Sequence, residues 1–308
     1  MAVDCLHPFG PGSVVPRPPP GVNSFPMNRT IALLIALFLN APALLAQDWA
    51  KQTLEKSPRH QEWVQIKHDN RVVQTFVVYP EVKQKAPVVI VIHEIFGLSV
   101  WARTVADQLA AHGYIAVAPD LLSGFGPKGG GTSDFASTQD AMKGVSGLDP
   151  DVVTADLNAV ADYAKKLPAS NGKIAVSGFC WGGGQSFRFA TNRKDLSAAF
   201  VFYGPPPKDV SAITAPVYGF YGGADARIDA TIPDAVAAMK AAGKTYDPVT
   251  YDGAGHGFMR AGEDPAADAA IKNVGADDAS KKSHDMAVAN KKAHDEGWER
   301  WLKLLKSL

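Results

Sequence analysis

The most constraining feature of this sequence is the segment Gly178-Phe179-Cys180-Trp181-Gly182, which directly follows the apolar run Lys173-Ile174-Ala175-Val176-Ser177. An apolar run that ends in a glycine-flanked residue is typical of a buried strand turning sharply into a helix. The two glycines let strand and helix approach closely, so the central side chain, Cys180, is exposed on the turn. The next residue, Trp181, can then donate its backbone N–H to an oxyanion. Glycine-rich turns also occur as plain connections, so the interpretation needs support from elsewhere in the chain.

Two later loops supply residues that fit such a nucleophile. The strand-like run Val217-Tyr218-Gly219-Phe220-Tyr221 leads into a glycine turn at Asp225, and Pro248-Val249-Thr250-Tyr251 leads to the glycine-flanked His256. Nucleophile, acid and histidine in this chain order form the triad of hydrolases with a nucleophile elbow. Aspartate is common in turns and a loop histidine can simply be exposed, but three elements in the right order favour a triad.

With these residues, the chain from about residue 60 to its end resembles the dienelactone hydrolase family, cysteine hydrolases of the α/β-hydrolase superfamily. The motifs that carry the resemblance are His93-Glu94-Ile95-Phe96-Gly97, Ala118-Pro119-Asp120-Leu121, Gly178-Phe179-Cys180-Trp181-Gly182-Gly183, Gly222-Gly223-Ala224-Asp225 and Gly253-Ala254-Gly255-His256-Gly257-Phe258. The resemblance implies an α/β-hydrolase fold with a mostly parallel sheet flanked by helices on both faces. Strands alternating with helices along the chain favour the same layered architecture.

The resemblance also implies further site residues. Glu94 would contact the resting thiol and control its ionisation, and the Ile95 N–H would join that of Trp181 in an oxyanion hole. Arg260, four residues after the histidine, would bind a substrate carboxylate, with Phe258 also at the substrate. Glu94 could instead cap or pair with the following helix, and Arg260 could be a solvated loop arginine. His93 is interpreted as structural rather than catalytic.

The implied activity is carboxymethylenebutenolidase-like hydrolysis of a small ester or lactone through a thioester on Cys180. If Arg260 binds a carboxylate, the substrate is expected to be anionic. We expect no metal and no cofactor. A second substrate arginine of the family has no clear counterpart, because residues 121–165 contain no arginine. The alternatives are a general carboxylesterase or thioesterase of the same fold, and a non-catalytic exported binding protein.

Composition is that of a globular enzyme, with 46% hydrophobic and 20% charged residues and a formal net charge of zero. This balance and the lack of a basic stripe give no reason to expect nucleic acid as a partner. We expect residues 47–308 to form a single domain and the protein to be a monomer.

The first 46 residues are predicted to lie outside the fold. Residues 1–26 are rich in proline and resemble a disordered leader or an upstream start artefact, with Met27 the better start.

After Met27 come Arg29, the apolar stretch Ile31 to Leu39 and a small-residue region ending at Ala46, a pattern typical of a secretory signal peptide. Nine apolar residues are too few for a bilayer that needs about twenty, so no stable membrane anchor is expected. The protein is therefore predicted to be periplasmic or secreted after cleavage near Ala46. Cys5 would be lost with the leader, which leaves Cys180 without a disulfide partner.

The remaining patterns predict a hairpin and alternating helices and strands. The predicted elements are strands at 63–66 and 72–79, helix 101–111, strand 115–118, helix 151–165, strand 198–203 and helix 233–242. The stretch 124–150 is expected to be an irregular wall of the site, and 263–282 a surface excursion before a terminal helix that carries Trp298 and Trp301.

Overall fold

In the computed structural model, the described residues are 49–261, 269, 271–272, 275 and 277–308. The leader, Cys5 and half of the predicted surface excursion therefore lie outside the described residues. Residues 49–56 are helical and precede the sheet.

Eight strands form one mixed sheet in the order β1-β2-β4-β3-β5-β6-β7-β8. The strands are β1 Gln61–His68, β2 Arg71–Val78, β3 Ala86–Ile92, β4 Ile115–Pro119, β5 Ser170–Phe179, β6 Ala198–Phe202, β7 Val217–Gly222 and β8 Tyr246–Tyr251. The β1–β2 and β2–β4 pairs are antiparallel. All the pairs from β4 through β3 to β8 are parallel. The predicted hairpin is confirmed, and its turn contains Asp69 at a φ of 44°.

Helices cover both faces of this sheet. They are α1 Val100–Ala111, α2 Thr138–Ser146, α3 Pro150–Lys166, α4 Trp181–Asn192, α5 Ala226–Asp229, α6 Ile232–Ala241 and α7 Asp278–Lys306, with short 3-10 turns at Thr132–Asp134 and Phe258–Arg260. Successive residues of β3 alternate between two buried clusters, because neighbouring side chains of a strand point to opposite faces. Val88 and Ile90 pack in the cluster that includes Leu157 of α3, whereas Val89 packs with Leu109 of α1.

Two boundaries differ from the sequence prediction. The stretch 124–150, expected to be irregular, contains α2, which begins where the Ser137 hydroxyl accepts a hydrogen bond from the Asp140 N–H. Ala141 and Val145, four residues apart, are the buried face of this short helix, and the glycine run nearby obscured that spacing. The terminal helix α7 begins at Asp278, within the segment expected to be an excursion, because Asp277 caps it by accepting from the Ser280 N–H.

The α7 helix packs on the sheet through Trp301 and Leu305, as its apolar spacing predicted. The Trp301 ring lies 4.9 Å from that of Phe202 and 5.9 Å from that of Phe179, measured between centroids. This helix therefore supports β5 and β6 at the level of the turn that follows β5. Among the described residues, no helix combines the length and the apolar character needed to span a bilayer.

Candidate active site

The predicted site residues follow the carboxyl ends of four parallel strands. Glu94 comes two residues after β3, Cys180 directly after β5, Asp225 after β7 and His256 in the loop after β8. Parallel strands place their carboxyl ends along one edge, so residues distant in sequence meet there.

Cys180 occupies a backbone conformation that side chains rarely adopt, with φ 56° and ψ −116°. Its N–H donates to the Phe202 carbonyl over 3.0 Å, and its carbonyl accepts from the Gly184 N–H, so the turn is fixed on both sides. A Cβ at Gly178 would lie 1.9 Å from the Gly182 carbonyl oxygen, and one at Gly182 would lie 2.3 Å from the His93 carbonyl oxygen. Both positions therefore require glycine, because any side chain would collide with backbone. The strained turn presents a partly buried Cys180, the free cysteine of the described residues.

His256 lies between the thiol and a carboxylate. Its Nδ1 is 2.5 Å from Oδ2 of Asp225, whose side chain is 7% exposed. The hydrogen bond with the Cys180 thiol raises the pKa of His256 to about 9; burial opposes this rise, and the bond with Asp225 adds to it. At neutral pH the imidazole of His256 is therefore protonated, which suits it to pair with a thiolate and later to release a proton.

Backbone contacts hold the Asp225 and His256 loops together. The Ala224 N–H donates to the Ala254 carbonyl over 2.8 Å. The Gly255 N–H donates over 2.7 Å to the side chain of Asn290, which reaches the loop from α7. A Cβ at Gly222 would lie 2.6 Å from the Ala254 carbonyl oxygen, so glycine permits this approach. Asn290 gave no motif in the sequence, since a polar residue on a long helix is ordinarily solvated.

Glu94 is 3% exposed and contacts two side chains. Its Oε2 is 3.0 Å from Nε of Arg260, an ion pair in which the N–H does not point at the oxygen, and its Oε1 accepts a long bond of 3.5 Å from the Tyr203 hydroxyl. Burial raises the pKa of Glu94, while the charges of Arg260 and His256 act in the opposite direction. The arginine and the tyrosine are thus partners of the Glu94 carboxylate, and its predicted contact with the thiol stays a prediction.

Tyr203 is a site residue that the sequence interpretation missed. It follows β6, is 0% exposed, and has a φ of 40°. Its ring lies edge-on to the His256 ring, with centroids 5.0 Å apart. The signal available was an aromatic hydroxyl at the carboxyl end of an apolar parallel strand.

The two residues predicted to contact substrate lie in different surroundings. The Arg260 side chain is 43% exposed, and its guanidinium lies 4.8 Å from the ring centroid of Phe96 and 5.4 Å from that of Trp101. Phe258 is 0% exposed and packs against Tyr203 and Tyr251. The structure thus places Arg260 at an accessible surface and Phe258 in the core behind the histidine loop.

Ile95 and Trp181, the predicted oxyanion donors, each follow one of two paired strands. Ile92 of β3 pairs with Gly178 of β5, and each chain reaches its donor three residues later. Both side chains pack against the same small cluster around Leu122. Neither N–H meets an acceptor within the described parts of the chain.

A cavity of about 630 Å³ is lined in part by Arg260. Its walls combine aromatic rings, hydroxyls and two arginines, and include Phe96, Trp101, Arg103, Thr132, Phe135 and Arg260. A volume of this size suits a small organic ligand. Over the described ranges, His, Cys, Asp and Glu side chains form no group of three or more that is suited to a metal ion.

The sheet order is that of an α/β-hydrolase. So is the site, in which a strained residue after β5 is followed in the chain by an acid and a histidine from later loops. The chain belongs to the dienelactone hydrolase family, whose model matches residues 73–308. It is 34% identical to a Methylorubrum extorquens protein named "Putative carboxymethylenebutenolidase", over 63% of this chain and 71% of that protein. It is 31% identical to the carboxymethylenebutenolidase of Pseudomonas putida, over 58% of this chain and 77% of that protein.

A solved structure from Klebsiella pneumoniae, titled "Putative Dienelactone Hydrolase", superposes with a TM-score of 0.64 at 25% identity. The superposition covers 81% of this chain and 99% of the other. The prediction of the family and of the α/β-hydrolase fold is thereby confirmed.

Proposed function

We propose that this chain hydrolyses a small carboxylic ester or lactone through a Cys180–His256–Asp225 triad and a thioester intermediate. The observation that carries the proposal is the 2.5 Å approach of His256 Nδ1 to the buried Asp225 carboxylate. The raised pKa of His256, for which Cys180 is the largest cause, supports the same grouping. The thiol belongs to a residue whose φ of 56° is the mark of a nucleophile elbow.

In the proposed acylation step, the Cys180 thiolate attacks the carbonyl carbon and the carbonyl π electrons move to oxygen. The N–H groups of Ile95 and Trp181 hold that oxyanion. As it collapses, the carbon–oxygen single bond breaks and protonated His256 gives its proton to the leaving alkoxide. In a lactone the released hydroxyl stays on the same acyl chain.

In the proposed deacylation step, neutral His256 takes a proton from water while the water oxygen attacks the thioester. The second oxyanion uses the same two N–H groups, and its collapse releases the carboxylic acid and the Cys180 thiolate beside the imidazolium. Asp225, buried against Nδ1, orients the ring and stabilises its positive charge in both steps.

The cavity beside Arg260 is the proposed binding space for the rest of the substrate. Phe96 and Trp101 offer apolar rings and the arginine offers a guanidinium, a combination that suits an unsaturated or aromatic acid with a free carboxylate. A general carboxylesterase or thioesterase of the same fold is the second candidate, because Arg260 already has an anionic partner in Glu94. If the chain were a non-catalytic binding protein, the grouping of Cys180, His256 and Asp225 would serve no chemical purpose.

Hydrolysis of a panel of carboxylated lactones, neutral lactones and 4-nitrophenyl esters by wild type and by Cys180→Ala tests the proposal. The wild type should turn over at least one class and form an acyl-enzyme heavier by the acyl mass on Cys180. Cys180→Ala should lose turnover and the adduct while keeping the circular dichroism spectrum and Tm of the wild type. Turnover by a folded Cys180→Ala would refute the nucleophile assignment. A wild type that binds these compounds and hydrolyses none would support the binding-protein alternative.

We also propose that the protein is exported after removal of residues up to about Ala46 and acts as a monomer. The support for export is the sequence pattern from Met27 alone.

A further inference from the structure

His93 is completely buried at the end of β3, next to the residues that shape the proposed oxyanion hole. It is 0% exposed. Both of its ring nitrogens are within hydrogen-bond distance of backbone. Nδ1 is 2.7 Å from the Glu94 carbonyl oxygen, and Nε2 is 3.3 Å from the Leu121 nitrogen.

These partners fix the tautomer of the ring. The Leu121 N–H can only donate, so Nε2 of His93 accepts and Nδ1 carries the proton. Nδ1–H therefore donates to the Glu94 carbonyl. Burial lowers the pKa of His93, which agrees with a neutral ring that uses one nitrogen as acceptor.

The Glu94 carbonyl and the Ile95 N–H belong to one peptide group. In a trans peptide the two are coplanar and point in opposite directions, so a donor that holds the oxygen also sets the direction of the N–H. The Gly97 N–H donates to the same oxygen over 3.2 Å, and two donors leave the plane little freedom.

His93 also supports the second oxyanion donor. Its ring stacks on the indole of Trp181, with centroids 5.5 Å apart and planes inclined by 14°. The Gly182 backbone lies so close to the His93 carbonyl oxygen that a Cβ there would be 2.3 Å from it. One buried residue thus contacts the supports of both N–H groups.

We propose that His93 is a positioning residue that aims the Ile95 N–H, and holds Trp181, for stabilisation of the oxyanion. This inference rests on the proposed function, since it assigns a task within the proposed acyl transfer. A residue that only filled the core would need neither the Nδ1–H···O bond nor contact with both donors.

The test compares three substitutions chosen by the position of the donor. In His93→Asn the amide nitrogen is as many bonds from Cβ as Nδ1, so it can still donate to the Glu94 carbonyl. In His93→Gln the amide lies at the distance of Nε2, and in His93→Phe the stacked ring is kept with no donor. The probes are 4-nitrophenyl acetate for hydrolysis and iodoacetamide for alkylation. In the alkylation the Cys180 thiolate attacks the CH2 carbon and displaces iodide, so no oxyanion forms.

The expected result is a fall in kcat of about tenfold to a hundredfold for His93→Phe and His93→Gln, with KM nearly unchanged, as for loss of an oxyanion donor. His93→Asn should stay within about fivefold of the wild type. The rate of Cys180 alkylation should be the same in every variant, because the triad is untouched.

Equal hydrolysis by His93→Asn and His93→Gln would overturn the proposal, as would loss of alkylation in parallel with hydrolysis. If His93→Phe does not fold, the comparison of Asn with Gln still decides. The proposed function fails by a different result, hydrolysis by Cys180→Ala, which is independent of any change at His93.

Discussion

Replacement of Arg260 by methionine separates two tasks that the structure allows for its guanidinium. Arg260 lies 3.0 Å from Glu94, whose side chain is 4% exposed, while 43% of its own side chain faces solvent at the cavity. It can therefore pair with the internal carboxylate, with a substrate carboxylate, or with each in turn. The substitution keeps part of the side-chain length while it removes the charge.

The magnitude follows from the kind of contact. A charge-assisted hydrogen bond is worth about 1.5–3 kcal/mol, which corresponds to about tenfold to a hundredfold in kcat/KM. If Arg260 binds the substrate carboxylate, the loss should fall on carboxylated lactones, and neutral esters should change by less than about threefold. If it acts through Glu94, the two substrate classes should lose activity equally, because removing the nearest cation raises the pKa of Glu94 further.

The assay is kcat/KM on paired substrates that differ only in a free carboxylate or its methyl ester, for wild type, Arg260→Met, Glu94→Gln and the double variant. Lys240→Met, an exposed lysine on α6, controls for the change in net charge. In the double-mutant cycle, the loss specific to carboxylated substrates should persist when Glu94 is already Gln. A loss that is equal for both substrates, and absent in the Glu94→Gln background, would refute substrate recognition by Arg260.

Asp225→Asn should lower the pKa of His256 from about 9 and so move the alkaline limb of the kcat/KM profile to lower pH. The value of kcat/KM should also fall by about a hundredfold or more. An alkaline limb that does not move would contradict the assigned pair of His256 and Asp225. The limb moves to lower pH because the His256 imidazolium is lost as pH rises through its pKa, and that pKa is lower in the variant. Gly182→Ala should lower the free energy of unfolding by about 1–3 kcal/mol in urea denaturation, since its Cβ would lie 2.3 Å from a backbone oxygen. Gly184→Ala is the mild control, because the nearest atom to its Cβ is 3.2 Å away. Equal midpoints for the two would show that the elbow can relax. Mass spectrometry of the protein from its native host should find a start near Gln47, and an intact Met1 or Met27 in a cytoplasmic fraction would contradict export.

Residues marked by local sequence pattern were the most predictable. Cys180, Asp225 and His256 each follow an apolar strand and stand among glycines, and both signals are visible in a short window. Because parallel strands end at one edge, the strand pattern also predicts that these loops meet. Helix α2 was missed because only two buried positions, Ala141 and Val145, define its face.

Side-chain partners across strand ends could not be read from the sequence. Glu94 and Arg260 are each marked by a motif, but nothing in either motif shows that they pair with each other. The contact depends on β3 and β8 ending at the same edge of the sheet and on the 3-10 turn Phe258–Arg260 that carries the arginine. The contacts of His93 could not be predicted from the sequence either, because a histidine before a glutamate does not by itself indicate a role. In the fold, its two ring nitrogens meet one carbonyl and one N–H, which keeps the buried ring neutral. Sequence therefore predicts best the groups proposed to react, and structure is needed to identify those that hold them in place.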